Sequence, residues 1–388
     1  MTDEQLIQKF EEYYGEGEAP RLFFAPGRVN LIGEHIDYNG GCVFPAALCI
    51  GISAIVRANH NSTIEMRSLN AAEILSVDLN HPIESCGNEW TNYPKGVIVH
   101  LQKEGFALQG CQVLFYSNLP EGAGLSSSAA LEVLTAQLLL SITNASMKKS
   151  HIAVLCQRVE NQFINVSCGI MDQFAVAMGK KNNALLLNCE NLKYQYFPID
   201  LGDFSLVIMN TNKKRTLATS KYNERKSECD AALAELKKHI PLANLCEATL
   251  AQVEMYVHDP ILAKRARHAV SENARVHAAT QALAAKDLVQ FAALLSSSHQ
   301  SLKNDYEVSG IELDCIVEES LKTDGCIGAR MTGAGFGGCA IAIVESPKVA
   351  LFKEKVLNNY YHKIKITPSF YESKIGEGVH EKKIYVPN

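Results

Sequence analysis

The chain has 388 residues, of which 47% are hydrophobic and 20% are charged, and it carries a formal net charge of −5. This globular composition suits two domains better than one large core. The acidic balance gives no general attraction to nucleic acid or to anionic membranes, and no apolar run approaches the roughly 20 residues that are needed to cross a bilayer.

The cysteines and the first residues of the chain favour a cytoplasmic protein. The twelve cysteines are scattered singly, without a Cys-x-x-Cys pair, which predicts buried, reduced thiols rather than disulfides or a metal site. Residues 1–14 are acidic and carry apolar side chains at helical spacing. They predict an amphipathic helix rather than an export signal.

Short runs rich in β-branched and aromatic residues alternate with longer segments of helical periodicity. Strands are predicted at residues 49–58, 64–67, 111–116, 184–187, 206–209 and 339–344. Helices are predicted at residues 93–103, 127–142, 150–163, 220–239, 263–284, 311–323 and 349–363. The mixture indicates an α+β protein, and a change of composition at residues 198–203 predicts two domains, 1–200 and 201–388.

A dense polar segment lies near the N-terminus, at residues 25–39. Its charged and hydrogen-bonding members are Arg28, Asn30, Glu34, His35, Asp37, Tyr38 and Asn39. Their spacing fits neither an amphipathic helix nor an alternating strand. Carboxylates beside histidine and asparagine can bind the hydroxyl groups of a neutral sugar. The alternative is a polar loop with a capping aspartate.

A glycine- and serine-rich segment, residues 122–128, lies between a predicted strand and an apolar predicted helix. Glycines allow close approach of the backbone, and the start of a helix directs free amides and a positive dipole at an anion. The serines add donors and one possible magnesium ligand. The segment lacks the Gly-Lys-Ser/Thr ending of a Walker loop, and an ordinary turn with a serine N-cap is the alternative.

Asp172 follows the predicted helix that carries Glu160 and lies among apolar residues. A carboxylate in this setting is either a cap at a helix start or a functional acid–base group, because an unpaired carboxylate is costly to bury. Taken alone, the pattern favours the cap.

Together these segments resemble the galactokinase family of the GHMP kinase superfamily. Residues 26–39 resemble the galactokinase signature, 122–129 the superfamily's phosphate loop, and 331–339 its third glycine-rich motif. Supporting matches, among them residues 214–217, extend the resemblance over nearly the full length. The resemblance implies an N-terminal domain like the second domain of ribosomal protein S5, a ferredoxin-like C-terminal domain, and an active site in the cleft between them.

The resemblance also implies an activity, ATP-dependent phosphorylation of galactose at its anomeric hydroxyl with Mg²⁺ as cofactor. The implied sugar-binding residues are Arg28, Glu34, His35, Asp37, Gly169, Asp172 and Tyr222. The implied nucleotide-binding residues are Ser68, Trp90, Gly122, Ala123, Gly124, Leu125, Ser126, Ser127 and Ser128. Ser128 and Glu160 would ligate magnesium. Asp172 would accept the hydroxyl proton late in the reaction, and Arg28 would stabilise the developing alkoxide.

Two other functions stay open. One is a kinase for N-acetylgalactosamine or another small alcohol, and Ile36, where the family pattern often has threonine, bears on this specificity. The other is a regulatory paralogue that binds galactose and ATP with little catalysis. The intact serine run and Asp172 favour an active enzyme, and a monomer is the expectation from the resemblance.

Overall fold

The computed structural model describes residues 1–87, 89–120, 122–213 and 218–383, so the supporting match at 214–217 lies outside the described residues. The strands are β1 (Arg21–Asn30), β2 (Cys42–Val43), β3 (Pro45–Ala58), β4 (Thr63–Ser68), β5 (Leu75–Asp78), β6 (Cys111–Ser117), β7 (Asn183–Asn188), β8 (Tyr194–Pro198), β9 (Phe204–Asn210), β10 (Cys326–Thr332), β11 (Cys339–Glu345), β12 (Ser369–Glu372) and β13 (His380–Lys382).

Helices lie between these strands throughout the chain. They are α1 (Asp3–Tyr14), α2 (Asn92–Lys103), α3 (Ser127–Ile142), α4 (Lys149–Val159), α5 (Met171–Met178), α6 (Ala218–Lys237), α7 (Leu250–Tyr256), α8 (Pro260–Ala284), α9 (Leu288–Ser301), α10 (Gly310–Leu321) and α11 (Val349–Ile364). The mixture confirms the predicted α+β class. Each predicted strand and helix has a counterpart at its expected place, with ends that differ by a few residues.

The first half of the chain is built on a six-stranded sheet in the order β13-β1-β3-β6-β4-β5. All its neighbours are antiparallel except β4 and β6, which run parallel. Helix α1 covers one face with a small apolar cluster around Leu6 and Phe10. Helix α3 contacts β1 and β3 and is itself enclosed by α2, α4 and α5. This enclosure explains why α3 is apolar on almost every side.

The second half contains a four-stranded antiparallel sheet in the order β10-β11-β9-β12. Helices α9, α10 and α11 contact its strands, and α8 lies against α6 and α9. Strand β13 departs from this half and pairs with β1 in the first sheet. The division at residue 200 stays a prediction. A further small sheet has the order β2-β7-β8.

The polar signature segment was expected to fit neither a strand nor a helix, and this is wrong for its first part. Residues up to Asn30 belong to β1, which pairs with β3 along its length. The pairing register shifts between Pro26 and Arg28, so a bulge interrupts the alternation of side chains. Most of the strand is also buried on both faces. A bulged strand buried on both faces lacks the inside–outside pattern by which strands are recognised.

Two general expectations can be compared with the structure. All twelve cysteines lie within the described ranges and none of them forms a disulfide there, but Cys49 and Cys86 are exposed, so the expected burial is wrong for these two. Over the same ranges, none of the helices combines the length and the apolar character required to traverse a membrane.

Candidate active site

A cavity of about 360 Å³ collects most of the predicted site residues. The predicted residues on its wall are Arg28, Glu34, His35, Asp37, Ser128, Glu160, Gly169, Asp172 and Tyr222. The wall also contains residues to which the sequence gave no site role, namely Tyr93, Val166, Cys168, Met171, Gln173, Gly333 and Ala334. The cavity therefore joins the signature segment, the start of α3, the start of α5 and the third glycine-rich motif.

Arg28 and Asp172 form a two-pronged ion pair at the centre of this wall. Arg28 Nε lies 2.8 Å from Asp172 Oδ1, and Arg28 Nη2 lies 2.9 Å from Asp172 Oδ2. The Arg28 side chain is 4% exposed, whereas that of Asp172 is 33% exposed, so the carboxylate is the partner that faces the cavity. Asp172 lies in the first turn of α5 but is not its cap. The cap interpretation is therefore wrong.

Arg28 also binds the glycine- and serine-rich segment. Its Nη1 donates to the carbonyl oxygen of Gly124 at 2.7 Å, and its backbone amide donates to the carbonyl oxygen of Leu125 at 3.1 Å. The same guanidinium thus contacts Asp172 and the predicted phosphate loop. Arg28 therefore fixes the distance between Asp172, the predicted proton acceptor, and the predicted phosphate loop.

The predicted phosphate loop has an open helix start. Gly122, Gly124 and Ser126 adopt positive φ angles of 65°, 71° and 63°, and α3 begins at Ser127. Ser126 occupies the N-cap position without a capping bond from its side chain, and its hydroxyl is buried with no partner among the residues that the structure describes. The alternative of a serine-capped turn is therefore wrong. The first-turn amides of α3 are available to an anion without competition from this side chain.

Ser128 and Glu160 stand together at one side of the cavity. Helix α4 ends at Val159, earlier than predicted, and continues as a π-helical turn that starts with Glu160. Burial raises the pKa of Glu160, a hydrogen bond from Ser128 opposes this, and the charge of Asp172 adds to it. A cation bound between Ser128 and Glu160 would offset the free energy that is needed to bury the charged Glu160 carboxylate. In the described ranges no group of three or more histidine, cysteine or acidic residues could hold a metal.

A further carboxylate, Glu132, lies on α3 behind Ser128 and has no exposed surface. Within the described part of the chain, neither of its oxygens makes a hydrogen bond of normal geometry. Burial raises its pKa well above the ordinary value, and the charge of the nearby Glu160 adds to this effect. Burial therefore favours the protonated form of Glu132 over the carboxylate.

Glu34 joins the signature segment to the third glycine-rich motif. The backbone amide of Gly333 donates to Glu34 Oε1 at 2.7 Å, and Arg330 Nη2 lies 3.3 Å from the same oxygen. A Cβ on Gly333 would stand 3.0 Å from the carbonyl oxygen of Gly124, so the two glycine-rich segments touch. Burial raises the pKa of Glu34, and the charges of Arg330 and Arg28 oppose the rise.

His35 lies on the cavity wall with both ring nitrogens bonded to the protein. Its Nδ1 is 2.7 Å from the hydroxyl of Tyr38, and its Nε2 is 3.1 Å from the carbonyl oxygen of Ala334. Burial lowers its pKa to about 3, so the ring is neutral at physiological pH. A sugar hydroxyl at this position would have to share one of these nitrogens or contact the ring carbons.

Asp37 and Gly169 are in tight contact across the cavity. A Cβ on Gly169 would lie 2.0 Å from Asp37 Oδ2, so only glycine leaves room for the carboxylate. Burial raises the pKa of Asp37 to about 7, and the charges of Asp172 and Glu34 add to the rise. The aromatic ring of Tyr222 lies on the same side, with its centroid 5.4 Å from that of His35.

Among the predicted nucleotide-binding residues Ser128 belongs to the described lining of this cavity, whereas residues 122–127, Ser68 and Trp90 do not. Ser68 and Trp90 both neighbour Phe115 on β6. Ser68 is the register partner of Phe115 in the sheet, and the Trp90 ring meets it edge-on at 6.0 Å. Trp90 Nε1 is buried and has no hydrogen-bond acceptor within the described ranges. Strand β6 ends at Ser117 and precedes the predicted phosphate loop in the chain.

Two residues of the C-terminal half support the site and had no assigned role in the sequence. The carboxylate of Glu272 accepts from the backbone amides of Gly33 and Glu34 at 2.9 Å and 3.2 Å. Arg330 donates to the carbonyl oxygens of Asn30 and Leu31. For Arg330 the sequence signal that could have found it is a charged residue inside an otherwise apolar stretch, whereas Glu272 lies among polar residues and carries no such signal.

Comparison with known proteins agrees with this geometry. Three family models match: the galactokinase galactose-binding signature at residues 8–58, the N-terminal domain of GHMP kinases at 92–180, and the C-terminal domain of GHMP kinases at 279–363. A galactokinase of Clostridium tetani is 49% identical over 385 residues, which are 98% of each chain. The chain belongs to the galactokinase family.

Other members of the galactokinase family and of the wider superfamily are also similar. A galactokinase of Clostridium beijerinckii is 50% identical over 93% of this chain and 94% of its own. The crystal structure of Lactococcus lactis galactokinase complexed with galactose superposes with a TM-score of 0.95 at 42% identity, over 97% of this chain and 99% of that one. A mevalonate kinase has a TM-score of 0.67 at 19% identity over 91% of this chain and 98% of that one, which shows the shared fold. The predicted two-domain GHMP kinase fold is confirmed.

Proposed function

We propose that the chain transfers the terminal phosphoryl group of ATP to the C1 hydroxyl of galactose, which gives galactose 1-phosphate and ADP. The observation that carries this proposal is the double contact of Arg28. One guanidinium binds the Asp172 carboxylate and the Gly124 carbonyl oxygen, so one side chain holds the proposed proton acceptor next to the proposed phosphate loop. A kinase needs this arrangement because phosphoryl transfer depends mainly on positioning and on charge stabilisation.

The sugar would occupy the side of the cavity formed by the signature segment. Glu34 and Asp37 offer carboxylate oxygens to hydroxyl groups, and the backbone of Gly169 completes the wall. The rings of His35 and Tyr222 provide flat contact surfaces. Mixed polar and ring contacts suit a neutral sugar, whose affinity depends on several hydrogen bonds.

The nucleotide would lie along the loop between β6 and α3. The phosphates suit the uncapped start of α3 and the unpartnered hydroxyl of Ser126. The adenine suits the place next to Trp90, whose buried Nε1 lacks an acceptor within the described residues. Ser128 and Glu160 would hold Mg²⁺, which would neutralise charge on the phosphates.

Asp172 is proposed to receive the proton from the C1 hydroxyl. Arg28 Nε and Nη2 both approach Asp172 Oδ1, whereas Oδ2 is bonded by Nη2 alone and keeps a lone pair for the proton, and the side chain opens to the cavity. As the sugar oxygen bonds to phosphorus, its proton moves to Asp172 and the bond from phosphorus to the ADP oxygen breaks. Arg28 offsets the negative charge that develops on the attacking oxygen.

The experiment that tests the function couples ADP release to each of several sugars. Galactose is expected to release ADP at a rate that rises with enzyme concentration, and N-acetylgalactosamine to release far less. Binding of both galactose and ATP with almost no ADP release would instead identify a regulatory paralogue. Faster turnover of the N-acetylated sugar would reassign the substrate.

Asp172→Asn is expected to lower kcat by roughly 100-fold or more, because an amide cannot accept the proton. The matched control is Asp230→Asn, which changes an exposed carboxylate paired with Lys226 on the surface of α6. Wild-type turnover in Asp172→Asn would exclude the role of proton acceptor.

The proposed location is the cytoplasm, because twelve scattered cysteines without a Cys-x-x-Cys pair fit a reducing compartment. The expected monomer is tested by the molar mass of the purified protein in light scattering, for which 42.6 kDa is the single-chain value.

A further inference from the structure

A chain of four hydrogen bonds runs through the wall behind the sugar side of the cavity. The Cys229 thiol lies 3.1 Å from the hydroxyl of Tyr306, which lies 2.9 Å from the hydroxyl of Tyr38. That hydroxyl is 2.7 Å from His35 Nδ1, and His35 Nε2 is 3.1 Å from the carbonyl oxygen of Ala334. Cys229 and Tyr306 have no exposed surface and His35 is 4% exposed, whereas Tyr38 and Ala334 are partly exposed.

The direction of every bond in this chain follows from its last acceptor. A backbone carbonyl can only accept, so the proton of neutral His35 resides on Nε2. Nδ1 then carries a lone pair and accepts from Tyr38, which has a single proton to give. Tyr38 must therefore accept from Tyr306, and Tyr306 must accept from the thiol of Cys229. Every donor points from Cys229 towards Ala334.

This chain of hydrogen bonds connects distant segments at a strained point of the backbone. Cys229 lies on α6 and Tyr306 in the π-helical turn after α9, whereas Ala334 belongs to the third glycine-rich motif. His35 has a φ of 60°, a left-handed conformation that is uncommon for residues other than glycine. Bonds at both ring nitrogens hold it there, directly after Glu34.

We propose that Tyr38, Tyr306 and Cys229 are positioning residues for sugar binding, which act through His35 by this one-way hydrogen-bond chain. These hydrogen bonds keep the left-handed turn at His35 in place and so orient the carboxylates of Glu34 and Asp37 towards the cavity. The proposal rests on the proposed galactokinase function for its kinetic consequence. The direction of the hydrogen bonds does not depend on that function.

The bond direction is tested by ¹⁵N NMR of histidine-labelled wild-type protein at pH 7.5 without ligands. The His35 signals, assigned by their loss in His35→Asn, are expected to show a protonated Nε2 and an unprotonated Nδ1. A proton on Nδ1, or on both nitrogens, would contradict the proposed direction of the hydrogen bonds. This NMR measurement needs no tyrosine variant and no enzymatic activity. Its result would therefore stand even if the proposed kinase function failed.

The positioning role is tested by steady-state kinetics with Tyr38→Phe, Tyr306→Phe and the double variant. Tyr38→Phe is expected to raise the KM for galactose about tenfold, because it leaves a buried acceptor unpaired, with kcat and the KM for ATP nearly unchanged. Tyr306→Phe is expected to raise it by a smaller factor. The double variant is expected to match Tyr38→Phe alone, because the link to His35 is already broken.

The control is Tyr360→Phe, which removes the buried hydroxyl that donates to the Thr211 carbonyl oxygen away from the cavity. It is expected to leave both KM values unchanged. A Tyr38→Phe enzyme with the wild-type KM for galactose would overturn the proposal. Independent, multiplying effects in the double variant would do the same, since they would mean that Tyr306 does not act through Tyr38.

Discussion

Glu160 combines burial with a position on the cavity wall, which makes it sensitive to the loss of a cation. Its pKa is raised mainly by burial, and Ser128 is its hydrogen-bond donor. Glu160→Ala is expected to raise the Mg²⁺ concentration for half-maximal activity by about tenfold or more, because removal of a metal-binding side chain weakens the site. Glu104→Ala, at an exposed carboxylate paired with Arg158, is the control. An unchanged Mg²⁺ titration would remove Glu160 from the ligands.

Gly169 leaves room for a carboxylate that belongs to a distant part of the chain. Because an added Cβ would fall 2.0 Å from Asp37 Oδ2, Gly169→Ala is expected to displace Asp37 and to raise the KM for galactose about tenfold. The KM for ATP should change little. Gly202→Ala is the control, since an added Cβ there has nothing within 4 Å and Gly202 does not line the cavity. Equal KM values in the two variants would contradict the steric argument.

Sequence reasoning found the site residues that lie inside motifs and missed those that act from a distance. Glu34, His35 and Asp37 lie within four positions of one another, so their shared purpose is visible in the sequence. Arg330 and Tyr306 meet the same segment from the other half of the chain. Their local sequence contains no sign of these partners, because the pairing depends on how the two halves pack.

Helix α3 was predicted with its observed ends, and β1 was not predicted at all. The apolar run of α3 begins at a serine cluster, so both its start and its burial are encoded locally. The bulge at Pro26–Arg28 removes the equivalent signal from β1. The early end of α4 at Val159 was also missed, because hydrophobic periodicity does not distinguish an α-helix from the π-helical turn that follows.

Glu132 makes the stability of α3 depend on pH. Its folded pKa lies well above the ordinary value of 4.5, so the folded protein keeps a proton that the unfolded chain releases. From pH 4.5 up to the raised pKa, stability therefore falls as the pH rises, by at most about 1.4 kcal/mol per pH unit. Glutamine keeps the shape and cannot titrate. Glu132→Gln is expected to gain stability over the wild type between pH 5 and pH 8.

The measurement is thermal unfolding without Mg²⁺ at both pH values. The exposed Glu104→Gln serves as control and should show no difference that depends on pH. If the unfolding temperatures of Glu132→Gln and the wild type differ by the same amount at pH 5 and pH 8, the pKa of Glu132 is not raised in the folded protein.

The two halves of the molecule are joined by a buried guanidinium. Arg330 on β10 has no exposed surface, donates to the carbonyl oxygens of Asn30 and Leu31, and approaches Glu34 at 3.3 Å. Arg330→Met is expected to lower the free energy of unfolding by roughly 3–5 kcal/mol, because it leaves a carboxylate and two carbonyl groups buried without their partner. Urea denaturation measures this change.

A surface ion pair provides the comparison for Arg330. Arg267→Met breaks the partly exposed pair with Asp305 and is expected to cost less than about 1 kcal/mol. If Arg330→Met and Arg267→Met lowered the free energy of unfolding by similar amounts, Arg330 would not join the two halves of the molecule. A higher KM for galactose in Arg330→Met would place the effect at Glu34.

Strand β13 gives the molecule an unusual order of assembly during synthesis. His380 pairs with Phe24 and Lys382 with Leu22, and Arg21 binds Glu381. The ribosome releases β1 long before its neighbour on that side has been translated. Until then the nascent chain presents an unpaired strand edge, which is a site for aggregation or chaperone binding.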